Sequence, residues 1–438
     1  MERNTVTAES KKGEMKSLLI SGTYFPPQMG GISQFMREIS SALGPDLVCC
    51  LTGQRANGAA IREDVGPRVY RRPAVFDAKA KYLRAAAWSA TIAEIMVRER
   101  PKIAQLATAG EGPLGLWLRK WFGLPFIVYA HGNEVLSAMQ PSGQKLQVGL
   151  RRADRILAVS HFTANLVQKF GVSPDRIEIV HPGCDSDHFR PLWPRMDLRQ
   201  KLLGDRYKDK IILSVGNLVA RKGHDMVIRG LPRLRQTIPE VTYLIVGHGS
   251  YRVQLENLAT ALGVRDRVIF AGPLAEDLPD IYALGDVFVM PSREQLEECD
   301  VEGFGMVFLE ASACAKPVVG GRSGGIPDAI VDGVTGLLVN PHDPEDIANA
   351  LARLLSNSDL ATRFGQEGRS WVVKYFDWVR VADRVQGILQ SVLEEKSFRG
   401  LARGAYSPPL TWTPKKGSAQ ETNGQERDDL PRSAYRQQ

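Results

Sequence analysis

Cys299-Asp-Val-Glu-Gly-Phe-Gly-Met-Val-Phe-Leu-Glu-Ala311 lies between two apolar runs, Val287-Phe-Val-Met-Pro291 and Pro317-Val-Val-Gly320. Runs that short suit buried strands, so the stretch reads as strand, loop, helix, strand. Met306, Val307, Phe308 and Leu309, followed by Ala311, Ala313 and Ala315, predict a buried helix whose first turn opens near Gly303 to Gly305. Unpaired amides and the positive end of the helix dipole coincide at such a start, which attracts an anion, phosphate above all. Glu302 and Glu310 are eight positions apart and would share a helix face if helical geometry already held at Glu302. A carboxylate beside an anion site is at ease only when it grips neutral donors, and sugar or ribose hydroxyls are such donors. The plainer alternative makes Glu302 a helix-entry residue and Glu310 a solvated one.

Outward from this stretch, short apolar runs alternate with amphipathic segments. Leu18–Ser21, Leu47–Leu51, Ile103–Leu106, Phe126–Ala130, Arg155–Val159 and Glu178–Val180 are candidate strands, with helix-period segments such as Ile32–Leu43 and Tyr82–Val97 between them. A second series runs through Ile211–Val215, Tyr243–Val246, Val268–Phe270, Val287–Met290, Val318–Val319 and Gly336–Val339. This alternation predicts an α/β protein of two Rossmann-like domains, with ligands held beyond the carboxyl ends of the strands in the cleft between them. The expected boundaries are a disordered N-terminus over 1–16, a first domain over 17–186, a linker over 187–209 and a second domain over 210–376. A helix over 377–396 is expected to cross back to the first domain, ahead of a disordered tail over 397–438 rich in Pro, Gly, Ser, Gln and charge.

The 438 residues, 43% hydrophobic and 24% charged, are enough for two buried cores. The polar first residues and the lack of a long apolar run predict neither signal peptide nor membrane span, hence a cytoplasmic protein. Five cysteines, odd in number and without a Cys-x-x-Cys pair, argue against a disulfide framework or a zinc site. Net charge is +7; from Ser397 onward seven Lys/Arg face four Asp/Glu, leaving only +4 on the body, so no nucleic-acid partner is expected.

Other motifs fall at strand ends. Gly30 and Gly31 precede a helix stripe of Ile32, Phe35, Met36, Ile39 and Leu43, where a backbone without side chains can approach a phosphate, although a plain turn would use the same residues. His131 ends Phe126-Ile-Val-Tyr-Ala-His131 before Gly132, where a neutral imidazole can bond sugar hydroxyls or a leaving oxygen; Asn133 and Glu134 follow it as weaker candidates on the acceptor side. Ser160 suits a helix N-cap. Arg221 and Lys222, after the strand Leu213-Ser-Val-Gly216, can grip phosphate as a fork and a point charge, or simply be solvated. Asp185 and Asp187 with His181 and His188 would suit a divalent ion if they converged.

Glu302-Gly-Phe-Gly-x3-Leu-Glu310 resembles the Glu-x7-Glu signature of retaining glycosyltransferases of family 4, which have the two-domain GT-B fold, and the other motifs extend the resemblance over most of the chain. It implies a Gly-Gly loop at Gly30 and Gly31 reaching a donor diphosphate, an Arg-Lys-Gly diphosphate motif at Arg221 and Lys222, and a His-Gly at His131 near the transferred sugar. Phe304, Gly305, Met306 and Val307 would complete the donor site, with Glu302 on donor-sugar hydroxyls and Glu310 on the ribose. His131, Glu302, Arg221 and Lys222 are thus the expected catalytic residues. Asp185 resembles the supporting residue of a domain-ending turn, so no metal and no cofactor are expected. The chain departs from the family at Asn217, where many relatives carry Arg, and at Asp328, where Glu is usual in the Gly-Gly-x-Pro-Glu turn.

The implied activity is transfer of a sugar from a nucleoside-diphosphate donor to a lipid-linked or glycan hydroxyl. The loop Arg293 to Asp300 and the motif after it look most like GDP-mannose-dependent mannosyltransferases such as phosphatidyl-inositol mannosyltransferases. A UDP-sugar donor, a non-hydrolysing sugar-nucleotide epimerase of the same fold and a catalytically silent binding module remain alternatives. Pro113-Leu-Gly-Leu-Trp-Leu-Arg-Lys-Trp-Phe122 reads either as peripheral contact with the inner face of a membrane or as a helix packed on its sheet.

Overall fold

Unbroken Val/Ile/Leu runs mark strands covered on both faces, the condition of a parallel sheet flanked by helices. The computed structural model describes residues 15–28, 30–54, 66–77, 79–274 and 277–404. Strands β1 (Ser17–Ser21), β2 (Val48–Thr52), β3 (Val69–Arg71), β4 (Ile103–Leu106), β5 (Phe126–Ala130), β6 (Arg155–Ala158) and β7 (Ile177–Ile179) form one sheet in the order β3-β2-β1-β4-β5-β6-β7. Strands β8 (Lys210–Val215), β9 (Val241–Val246), β10 (Val268–Gly272), β11 (Val287–Met290), β12 (Val318–Gly321) and β13 (Gly336–Val339) form the other in the order β10-β9-β8-β11-β12-β13. The pairings are parallel, as β1 with β4 and β8 with β11 illustrate. Strand order reverses at these two places, and the crevice beyond a reversal is where a doubly wound sheet takes its ligand.

Each strand except β3 lies at an apolar run legible in the sequence. β3 has only three residues, with Tyr70 buried and Val69 and Arg71 half-buried, too short for a periodic signal. The stretch 187–209, expected as a linker, carries a helix over Met196–Leu203 whose Leu198 and Leu203 are buried. Its charged residues hid that apolar side. The last helix runs Trp378–Gly404, so 397–404 of the expected disordered tail is helical, while residues 405–438 lie outside the described ones. Of the N-terminal segment, residues 1–14 lie outside them too; Met15 is buried and Lys16 pairs with Glu99 at 2.6 Å.

Leu18, Ile20, Trp88, Ile92 and Phe126 build a core on one face of the first sheet, and Ile212, Val227, Tyr243 and Ile245 build one on the second. A third cluster joins the halves: Leu19, Phe35 and Tyr129 pack with Leu213, Phe288 and Phe308 and with Trp378, Val385 and Leu389 of the last helix. Each fully buried Leu, Val or Phe there contributes roughly 1.5–3 kcal/mol. The last helix is anchored on the first half, with the Trp378 ring 5.5 Å from that of Phe35 and Glu395 paired with Arg155. No described helix is long and apolar enough to cross a membrane.

Candidate active site

The loop leaving β11 ends at Gly305, whose φ of 96° is left-handed and suits glycine, and the helix Met306–Ala313 follows at once. Glu302 therefore sits in the loop and not on the helix, so the condition under which it would share a helix face with Glu310 is not met. Both nonetheless line one cavity of about 450 Å³. Among the described residues the amides of Met306 and Val307 have no hydrogen-bond acceptor, as expected of a helix start open to an anion. Gly30, Gly31, His131, Arg221, Lys222, Phe304, Gly305, Met306 and Val307 line the same cavity. Every residue singled out in the sequence as a site residue is thus brought to one place. Gly31 faces the helix start directly: a Cβ there would lie 3.5 Å from the Met306 methyl.

The cations are held by carboxylates. Arg221 Nη1 and Lys222 Nζ donate to Glu302 Oε2 at 2.7 and 2.6 Å, and Arg221 Nε lies 2.7 Å from Asp300 Oδ1. Arg221 and Lys222 end the strand-to-helix turn after β8, where Gly223, with φ 73°, brings the backbone against the Pro291 carbonyl. Burial works to raise the Glu302 pKa, but Lys222 and then Arg221 outweigh it and hold the carboxyl at about 2. Each cation has further N–H groups beyond those given to Glu302.

Glu310 is buried; its Oε2 accepts from the Tyr282 hydroxyl at 2.7 Å and its Oε1 from Gln34 Nε2 at 3.5 Å. Burial raises its pKa, with Tyr282 and Gln34 pulling it back. His131 Nε2 lies 3.0 Å from the Ala107 carbonyl, which makes Nε2 the protonated nitrogen and leaves Nδ1 an acceptor. Burial lowers its pKa to about 4, against the Ala107 bond, so the imidazole is neutral at pH 7.

Several contacts that sequence reasoning missed tie the halves together. Asn133 Nδ2 donates to Asp300 Oδ1 at 3.0 Å, and the Val301 amide donates to Asn133 Oδ1 at 2.9 Å. A Cβ on Gly303 would fall 1.8 Å from the His131 carbonyl oxygen. The His161 amide and its Nδ1 reach Asp328 Oδ2 at 2.6 and 3.0 Å. Asp300 and Asp328 carry no periodic signal for these bonds, since Asn133 and His161 come from the other sheet; the hints were the place of Asp300 beside Glu302 and that of Asp328 in the Gly324-Gly325 turn. Ser160 is an N-cap, accepting from the Thr163 amide at 3.1 Å.

The residues weighed for a metal do not gather: Asp185 Oδ1 accepts the Asp187 and His188 amides at 3.1 and 2.9 Å, and His188 lies 3.3 Å from Asp277. Instead His161, His181 and Asp328 bring one ligand atom each within 4.8 Å of one another. They are already engaged, with His181 Nδ1 at 3.0 Å from the Val159 carbonyl.

Two facing parallel sheets, a helix start open to an anion and two adjacent cations beside carboxylates define a GT-B glycosyltransferase using a nucleotide-sugar donor. The family profile "Glycosyltransferase Family 4" matches residues 29–188 and "Glycosyl transferases group 1" matches 198–371. The chain belongs to this glycosyltransferase family. It is 34% identical over 391 residues, 84% of its own length and 98% of the relative's, to the GDP-mannose-dependent alpha-(1-6)-phosphatidylinositol monomannoside mannosyltransferase of Mycolicibacterium smegmatis. To the D-inositol 3-phosphate glycosyltransferase of Salinispora arenicola it is 32% identical over 68% of either chain. Among solved structures, HepE of Anabaena in complex with UDP and glucose superposes with a TM-score of 0.71 at 20% identity, covering 86% of this chain and all of that one. These findings set aside the epimerase and the silent binding module.

Proposed function

We propose that this enzyme moves a mannosyl residue from GDP-mannose to a hydroxyl of an inositol-containing glycolipid, with retention of anomeric configuration. The observation that carries donor and acceptor is the likeness, over 98% of its length, to the Mycolicibacterium mannosyltransferase. In this reading the diphosphate lies against the Met306 and Val307 amides, the Gly30-Gly31 backbone, Arg221 and Lys222. As the glycosidic bond breaks, charge grows on the leaving phosphate, and donors already aimed at it stabilise the transition state by roughly 3 kcal/mol for each well-placed group. Glu302, ionised at neutral pH, accepts from mannose hydroxyls; Glu310 accepts from the ribose. His131, neutral, presents Nδ1 on the side where the acceptor arrives. The acceptor attacks from the face the phosphate leaves, and its proton passes to that phosphate.

The test is transfer by purified protein to phosphatidylinositol monomannoside, with GDP-mannose and UDP-glucose offered separately. One added hexose from GDP-mannose is expected; transfer from UDP-glucose alone refutes the donor assignment. A lipid acceptor also calls for peripheral contact with the membrane's inner face. Trp117 is turned to the core, 5.7 Å from Trp88, whereas Trp121 is 63% exposed with Lys120 over its ring. Trp121 and Phe122 are therefore the residues assigned to that contact. Trp121→Ser/Phe122→Ser is expected to weaken sedimentation with anionic liposomes; equal sedimentation removes the membrane assignment.

A further inference from the structure

Glu134 holds, inside this cavity, a buried carboxylate oxygen without a hydrogen-bond partner among the described residues. It lies in the first turn of the helix Asn133–Met139, four residues beyond the end of β5 and three beyond His131. Its Oε1 accepts the His131 amide in a short bond, which fixes the turn that presents the imidazole. Its Oε2 is buried and, among the described residues, has no hydrogen-bond partner. The neighbouring amide of Asn133 cannot turn to it, because both ends are engaged with Asp300 and Val301 across the cleft. Burial pushes the Glu134 carboxyl up to about 7, although the amides of His131, Gly132 and Glu134 itself pull it down. Tyr24 lines the cavity on the same side, and its hydroxyl is pushed up by burial and then by the charge of Glu134.

A buried acceptor atom without a donor is destabilising, and the turn-fixing bond uses only the other oxygen. A glutamine would hold the His131 amide as well, so the local fold does not explain the charge. Donor groups are served elsewhere in the cavity, at Arg221, Lys222 and the helix start of Met306. What remains for the first half's side, beside His131, is the acceptor.

We propose that Glu134 Oε2 binds the acceptor, receiving a hydrogen bond from a hydroxyl of its polyol ring and turning away an acceptor that carries a phosphomonoester at that position. The inference rests on the mannosyl transfer proposed above. It assigns a specificity contact: a carboxylate welcomes a neutral hydroxylated ring and repels a second anion in a cavity where charges are poorly screened.

The experiment is steady-state kinetics at pH 8 of the wild type, Glu134→Gln and Glu134→Asp. Phosphatidylinositol monomannoside and inositol 3-phosphate serve as acceptors, each substrate being varied in turn. Glu134→Gln is expected to raise the KM for phosphatidylinositol monomannoside roughly 10- to 100-fold, the usual range for one hydrogen bond to a charged group. The KM for GDP-mannose and the calorimetric affinity for GDP should stay within about twofold, and relative use of inositol 3-phosphate should rise. Glu134→Asp, which keeps the charge but withdraws it, should fall between. An unchanged acceptor KM, or a parallel loss of donor and acceptor affinity in both variants, overturns the contact while leaving the transferase assignment standing. A wild type that transfers mannose to neither acceptor brings down both.

Discussion

Glutamine at position 302 keeps the shape of Glu302 and removes its charge, which separates the residue's part in holding the fold from its part in the reaction. Two cations, Lys222 and Arg221, lower the carboxyl from 4.5 to about 2 against the opposing effect of burial. At 1.36 kcal/mol per pH unit this is about 3 kcal/mol of native-state stabilisation. Because the folded pKa is depressed, that stability is present above pH 4.5 and is lost as pH falls towards 2. Glu302→Gln at pH 7 should therefore lower the thermal midpoint by roughly 4 °C, and the gap to wild type should narrow in acid. Transfer should fall by roughly 100-fold or more, since an acceptor of mannose hydroxyls is lost. GDP carries no sugar, and its diphosphate meets two cations freed from their carboxylate, so its calorimetric affinity should be at least that of wild type. An unchanged midpoint at pH 7, or GDP binding weakened tenfold, refutes the assignment of Glu302 to the cations and the sugar.

Arg221→Ala should weaken GDP binding by roughly 10- to 100-fold, the loss of charge-assisted bonds to phosphate; calorimetry giving equal affinity places the diphosphate elsewhere. Gly303→Ala should destabilise the protein by roughly 2 kcal/mol or more, because its Cβ would meet the His131 carbonyl oxygen at 1.8 Å; an unshifted denaturation midpoint shows that the halves part easily there. Burial lowers both His131 and His224 to about 4 from 6.5, so below pH 6.5 the unfolded chain takes up protons that the native state refuses. Stability should fall between pH 6.5 and 4, partly offset by Glu134, whose raised pKa acts in the opposite sense. His224→Gln should flatten the slope of urea midpoints over that range, and an unchanged slope refutes the buried neutral imidazole.

The sheets were legible because strands buried on both faces read as apolar runs, and the cavity was legible because its residues stand at strand ends and helix starts, where backbone chemistry leaves a mark. Val69–Arg71 was not, being an edge strand with one buried residue. Nor was the helix Met196–Leu203, whose charges obscured Leu198 and Leu203. The helix start expected near Gly303 to Gly305 is found at Met306, with Gly305 and its left-handed φ as the cap, so the condition for Glu302 to share a helix face with Glu310 is not met. Asp300 escaped notice, as did the bonds that Asn133 and Asp328 make, because each bond joins a partner from the opposite half, and which loops meet is decided by docking. The single-sequence pattern records local periodicity and says nothing of that.

The polypeptide passes between the two halves twice, once after β7 and again just before Trp378, and the passages are stitched side by side where the Cys184 amide donates to the Phe376 carbonyl at 2.7 Å. Two adjacent tethers leave one easy axis of rotation, so any rocking of the halves must pivot near Cys184. The same stitching makes the first half incomplete without residues that follow the second half in the chain: cut before Trp378, it would bare Phe35 and the apolar flank on which that helix lies. A ribosome must therefore release the chain through Leu389 before either the pivot or the first half can reach its final form.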